Sequence, residues 1–106
     1  DLTFSGLEKV EITAAVTAAG TTQADAATLT VDSRALEVSG TGVDGVVFQQ
    51  VVDGTVVTLI NSGSGNVNVY PAGTNTINGG AQAAAYVLAA GSAATLVFNS
   101  TNAYLV

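Results

Sequence analysis

Valine alternates with asparagine and tyrosine along Asn66-Val67-Asn68-Val69-Tyr70, and Pro71 closes the run. A period of two places Val67 and Val69 on one face of an extended segment and Asn66, Asn68 and Tyr70 on the other. Proline has no N–H to give to a ladder, so the strand ends there. The pattern predicts a strand with its valines in the core and its asparagines outside. Upstream, Val46-Val47-Phe48 is a short apolar run, and Thr55-Val56-Val57-Thr58-Leu59-Ile60 is a longer one, rich in β-branched residues and apolar on both faces. Asp53-Gly54 between them predicts a hairpin, because both central positions of a type I′ turn need positive φ. Gln49-Gln50 leaves room for a wider loop and so leaves that register open. The small polar run Asn61-Ser62-Gly63-Ser64-Gly65 reads as a loop.

The rest of the C-terminal half is β by the same signals. Thr76-Ile77 is a short extended piece, and Asn78-Gly79-Gly80 turns the chain. Tyr86-Val87-Leu88, Thr95-Leu96-Val97-Phe98 and Ala103-Tyr104-Leu105-Val106 follow as strands, with Ala90-Gly91-Ser92 and Asn99-Ser100-Thr101-Asn102 as turns between them. In the first half, Val10-Glu11-Ile12-Thr13 alternates and Leu36-Glu37-Val38 leads into the glycine loop Gly40-Thr41-Gly42. Thr22-Gln23-Ala24-Asp25 has the spacing of a capping box with Asp in place of Glu, which predicts a short helix over residues 22–29. Thr28-Leu29-Thr30-Val31 argues for a strand in the same place. The segment stays open between the two. No strict internal repeat and no domain boundary stand out. Turn residues recur about every 8–12 residues, the spacing of an all-β sandwich or barrel. The expectation is one β-domain over residues 1–106, an antiparallel β-sandwich or flattened barrel of about seven or eight short strands.

Composition narrows the function. Two basic residues, Lys9 and Arg34, stand against eight acids, for a net charge of −6. Such a chain cannot neutralise a run of phosphates, so no nucleic-acid partner is expected. Anionic membrane surfaces are disfavoured for the same reason, and no apolar run reaches the ~20 residues of a spanning helix. With no cysteine and no histidine, the chain has no disulfide framework, no thiolate metal site and no imidazole base. Asp25, Asp32, Glu37, Asp44 and Asp53 are scattered singly, and Asp44-Gly45 and Asp53-Gly54 are turn dipeptides. Acid–base chemistry needs carboxyls set in divergent environments, and nothing pairs these. Calcium asks only for oxygen ligands, but no stretch alternates Asp and Asn ahead of a closing Glu. Gly63-Ser64-Gly65 lacks the lysine of a phosphate loop. Asn99-Ser100-Thr101 matches a glycosylation sequon, a pattern common by chance. No enzyme activity, cofactor or metal is expected.

Charged residues make up only 9% of the chain, against about 25% in ordinary soluble domains. A surface so poor in charge must be covered by small polar groups or by other subunits. Three of the ten charges, Glu8, Lys9 and Glu11, fall within four residues, just after the apolar Leu2, Phe4 and Leu7. These six residues suggest an attachment arm over residues 1–12, with the first strand of the sandwich as the competing reading. Tyr70, Tyr86 and Tyr104 each begin or end a strand, where tyrosine packs its ring and wets its hydroxyl, and together they are the candidates for stacking on a sugar.

The stretch Val56-Val57-Thr58-Leu59-Ile60-Asn61, its Gly-Ser loop, then Val67-Asn68-Val69-Tyr70-Pro71-Ala72-Gly73 and Ile77-Asn78-Gly79 resembles the surface β-domains of tailed-phage virions, meaning head decoration and fibre domains. Leu88-Ala89-Ala90-Gly91 and Val97-Phe98 supply the last part of that pattern, and Tyr104 stands where such sequences place an aromatic. The likeness runs over the C-terminal half and leaves residues 1–12 uncovered. It implies a non-enzymatic virion protein, often oligomeric. The expectation is a capsid decoration or cement protein on the outer head surface, with the major capsid protein as partner and a homotrimer as its form. The alternative it implies is a tail-fibre or tailspike domain binding host glycan.

Overall fold

The computed structural model describes residues 12–31, 34–99 and 101–106. The chain is all-β and contains no helix among these residues. Its strands are β1 (Ile12–Thr17), β2 (Ala27–Leu29), β3 (Ala35–Ser39), β4 (Gly45–Phe48), β5 (Val56–Asn61), β6 (Val67–Tyr70), β7 (Thr76–Ile77), β8 (Tyr86–Leu88), β9 (Ala93–Phe98) and β10 (Asn102–Leu105). They form a six-stranded sheet A, in the order β1-β3-β5-β9-β10-β7, and a four-stranded sheet B, in the order β2-β4-β6-β8.

The path between the sheets overturns the expected antiparallel sandwich or barrel. From β1 to β6 the chain alternates between sheets, and each strand lies parallel to the one two positions earlier. That is the winding of a solenoid, in which each coil gives one strand to each sheet and packs on its neighbours. Leu36 lies beside Leu59 in sheet A and Val46 beside Val69 in sheet B, 23 residues on in each case. The sequence carries the same period, contrary to the expectation of no repeat: Leu36-Glu37-Val38-Ser39-Gly40-Thr41-Gly42 lines up with Leu59-Ile60-Asn61-Ser62-Gly63-Ser64-Gly65. The first coil fits the period less well. A shift in the β1–β3 register between Thr13 and Val16, and the long loop before β2, break it.

Asp53-Gly54 does not close a hairpin. It turns the corner from sheet B to sheet A, with Thr55 N–H donating to Val52 O at 3.1 Å. Only Gly54 has positive φ (86°), so the type I′ geometry is not formed. The helix alternative over residues 22–29 also fails. Half of the capping box is present, since Thr22 N–H donates to Asp25 Oδ1 at 2.8 Å, but the chain leaves the turn into β2, where Leu29 is fully buried. Tertiary burial of that leucine outweighs a weak helix start. The described residues form ten strands rather than seven or eight, and β2, β7 and β8 hold only two or three residues each.

After β6 the chain changes manner. β8 runs antiparallel to β6 and β9 antiparallel to β5, β10 forms a hairpin with β9, and β7 adds to β10 in parallel. This C-terminal cap closes one end of the stack. Ile77-Asn78-Gly79-Gly80 makes the turn read from sequence: Asn78 and Gly79 have φ of 56° and 70°, and Gly80 N–H donates to Ile77 O at 3.0 Å. Asn and Gly are the residues that take such angles at least cost.

One core lies between the sheets. Val57, Leu59 and Leu96 reach it from sheet A, and Val46, Val67, Val69 and Leu88 from sheet B. The predicted register of β6 holds, with Val67 and Val69 buried, Asn66 exposed and Asn68 half-exposed. Phe48 of sheet B and Phe98 of sheet A meet edge to face, centroids 5.0 Å apart at 77°, and join the second coil to the cap. The apolar run in β5 proves to alternate. Val57 and Leu59 point in, while Val56, Thr58 and Ile60 lie on the outer face.

Candidate functional site

The proposed arm residues Leu2, Phe4, Leu7, Glu8, Lys9 and Glu11 lie outside the described residues, and of the segment 1–12 only Ile12 is placed, as the first residue of β1. The three tyrosines are placed, and they do not share a face. Tyr70 lies on the outer face of sheet B, Tyr86 packs against the core, and Tyr104 stands on the outer face of sheet A, 42% exposed. No common stacking platform is formed.

The carboxylates serve the corners. Asp44 Oδ1 accepts Thr41 N–H at 2.8 Å, and Asp44 Oδ2 accepts the Thr41 hydroxyl at 3.0 Å. Asp25 Oδ1 takes the N–H of both Thr21 and Thr22 together with the Thr22 hydroxyl. The Thr22 N–H holds the Asp25 carboxyl below its ordinary value, and the Thr41 N–H does the same for Asp44, because each donation favours the ionised form. Among the described residues no three His, Cys, Asp or Glu side chains gather into a metal-binding group. The corners are held by charge-assisted hydrogen bonds.

Asn61 is the polar side chain that the sequence reading missed. It is 1% exposed and ends β5 where the coil before it has Val38. Its Nδ2 donates to Gly65 O and to Leu88 O, both at 3.0 Å, and its Oδ1 accepts Gly63 N–H at 3.0 Å. It therefore ties the third coil's corner to β8 in the cap. The one available sign was its place in the repeat, opposite a core valine.

A second tie spans all three coils. The loop between β1 and β2 reaches the end of the third coil, where Gln23 Nε2 donates to Pro71 O at 2.7 Å and to Gly73 O at 2.8 Å. The Tyr70 hydroxyl donates back to Thr21 O at 3.2 Å. Under this strap the Tyr70 ring lies on Gly45, where a Cβ would stand 2.8 Å from Tyr70 Cε2 and 2.7 Å from Asn68 O. Glycine is needed there for lack of room.

A shallow dent lies beside Gln50, Val51, Pro71, Asn75 and Phe98, and Asn75 Nδ2 donates to Gln50 Oε1 across it at 3.0 Å. Its amides are directed at one another. No helix of the described residues is long and apolar enough to cross a membrane.

The surface with most to offer is the outer face of sheet A. Val56, Val97 and Tyr104 are successive cross-strand neighbours in one row, and Thr58 and Thr95 form the next. The fold and this surface define a short two-sheet β-solenoid with an antiparallel cap. No known protein family, no curated protein and no solved structure matches the chain.

Proposed function

We propose that the chain is a non-enzymatic structural protein of a phage virion, a decoration or cement protein that sits on the outer head shell and stabilises it. The observation that carries this reading is the distribution of charge over the solenoid. Asp25, Asp44 and Asp53 lie in turns, and among the described residues Glu37 of β3 is the one charged side chain on a strand. Such a body offers broad, neutral faces to neighbours, which suits packing against other subunits better than capture of a charged ligand. The major capsid protein is the partner in this reading, and a homotrimer at local threefold positions is the form. Residues 1–12, with Leu2, Phe4 and Leu7 beside Glu8, Lys9 and Glu11, are the proposed contact with the lattice. The tail-fibre reading draws no support from the tyrosines, which stand in three different places.

Rebinding to undecorated heads tests the reading. The full chain is expected to co-sediment with bare heads and raise their resistance to heat or chelator. A variant lacking residues 1–7 is expected to keep its circular dichroism spectrum and lose the binding. Binding undiminished by the deletion would remove the arm from the account. Failure of the full chain to bind would remove the decoration role.

A further inference from the structure

The two outer faces of the body differ in what covers them. On sheet B the chain covers itself over β4 and β6, though not over Val87 of β8: the Tyr70 ring lies on Gly45, and Thr21 and Gln23 cross to bind Tyr70, Pro71 and Gly73. Among the described residues no such hydrogen-bonded strap crosses β5, β9 and β10 of sheet A. There Val56, Val97 and Tyr104 stand side by side, with Val56 44% and Tyr104 42% exposed. In the adjoining row the Thr58 and Thr95 hydroxyls bond each other at 2.8 Å. That bond occupies one of the two hydroxyl donors within the row, and the face otherwise shows the methyl groups of the threonines and valines and the ring and hydroxyl of Tyr104. Ile60 opposite Ala93 extends it.

Charge identifies the occupant. β5, β9 and β10 carry no carboxylate and no cation. The one acid on a sheet A strand among the described residues is Glu37 of β3, paired with Ile60 at the far end of the face. A chain of net charge −6 repels its own copies over most orientations. Through the β5, β9 and β10 part of this face copies meet without bringing carboxylates together, and each covers the apolar row of the other. We propose that copies of the chain associate through the outer face of sheet A, turned inward on a symmetry axis so that the Val56–Val97–Tyr104 rows pack on one another. This rests on the shell-protein reading only for the trimer number, and the isolated protein tests it without any capsid.

The test is light scattering on the eluting peak of the full chain at micromolar concentration. The wild type is expected at three times the 10.4 kDa chain mass. Val97→Asp is expected to bring a threefold fall to the single-chain mass with an unchanged circular dichroism spectrum. Val87→Asp, an equally outward position on sheet B at 53% exposure, should leave the assembly intact. If Val97→Asp fails to fold, Tyr104→Asp, on a more exposed side chain, carries the same test. A single-chain mass for the wild type overturns the proposal. So does retention of the wild-type mass by the folded charge variants, or dissociation by Val87→Asp alone. A wild type that is monomeric but binds heads until Val97→Asp is introduced also overturns it, and assigns the face to the capsid lattice.

Discussion

Residues 12–70 and residues 76–106 build the same two sheets by opposite means. Between the second and third coils a strand's neighbour lies 23 residues away, across two corners and a strand of the other sheet. In the cap, β9 and β10 are joined by a tight turn and pair directly. The coils therefore depend on their corners, where Asp44, Asp25 and Asn61 satisfy backbone groups that no ladder reaches. The cap depends on alternation and on turns that local sequence already encodes. The two parts should fail differently when perturbed.

The largest effect is expected where they meet. Phe48→Ala removes the ring that packs on Phe98 across the sheets and leaves a cavity at the joint. A loss of about 3–5 kcal/mol is expected, read as a fall in the denaturation midpoint. A loss below about 1 kcal/mol would mean that coils and cap do not share a core.

Two asparagines sharpen the comparison. Asn61→Ala should cost about 2–4 kcal/mol, because it orphans Gly63 N–H and two carbonyls in a buried corner. Asn78→Ala, in the cap, removes one acceptor from Leu105 N–H at an exposed turn and places alanine at a φ of 56°. It should cost about 1–2 kcal/mol. Equal losses in denaturant unfolding would contradict the distinction drawn between corner and turn.

The same contrast explains what could be read from the sequence. The alternation of Val67 and Val69, the Pro71 stop and the Asn78-Gly79 turn are local, and each was legible. Asp53-Gly54 was misread because the dipeptide suits any tight turn, and only non-local packing decides whether the next strand folds back or crosses to the other sheet. Thr55–Ile60 looked apolar on both faces because Val56 and Ile60, two of the three outward residues of β5, are apolar too. The repeat was hidden because only two copies of it are clear and the match breaks inside the core, where Val38 is replaced by Asn61. Of the candidate sites, the tyrosine positions were correct as strand ends for Tyr70 and Tyr86, but nothing local shows that Tyr70, Tyr86 and Tyr104 point to three different places.

Gln23→Ala should cost about 1 kcal/mol and act locally, releasing the loop of the first coil from Pro71 and Gly73. Faster amide exchange confined to residues 18–29 is the expected reading. Exchange accelerated equally in the cap would show that the strap holds more than the coils.

Acid gives the smallest effect. The folded carboxyls of Asp25 and Asp44 lie below the ordinary value of 3.8, so their contribution is fully present above that value and is lost as pH falls through the lower folded values. Stability should thus decline below about pH 4, and Asp44→Asn should flatten that decline. A decline that begins near neutral pH would point to other groups.

The proposed structural role is tested most directly by cryo-electron microscopy of phage particles from the source of this chain. The account predicts a solenoid density at symmetry-related positions over the whole outer head, with the sheet A faces turned toward one another and copies numbering in the hundreds. Density confined to the tail, in a few tens of copies or fewer, or absence from the particle, would contradict it.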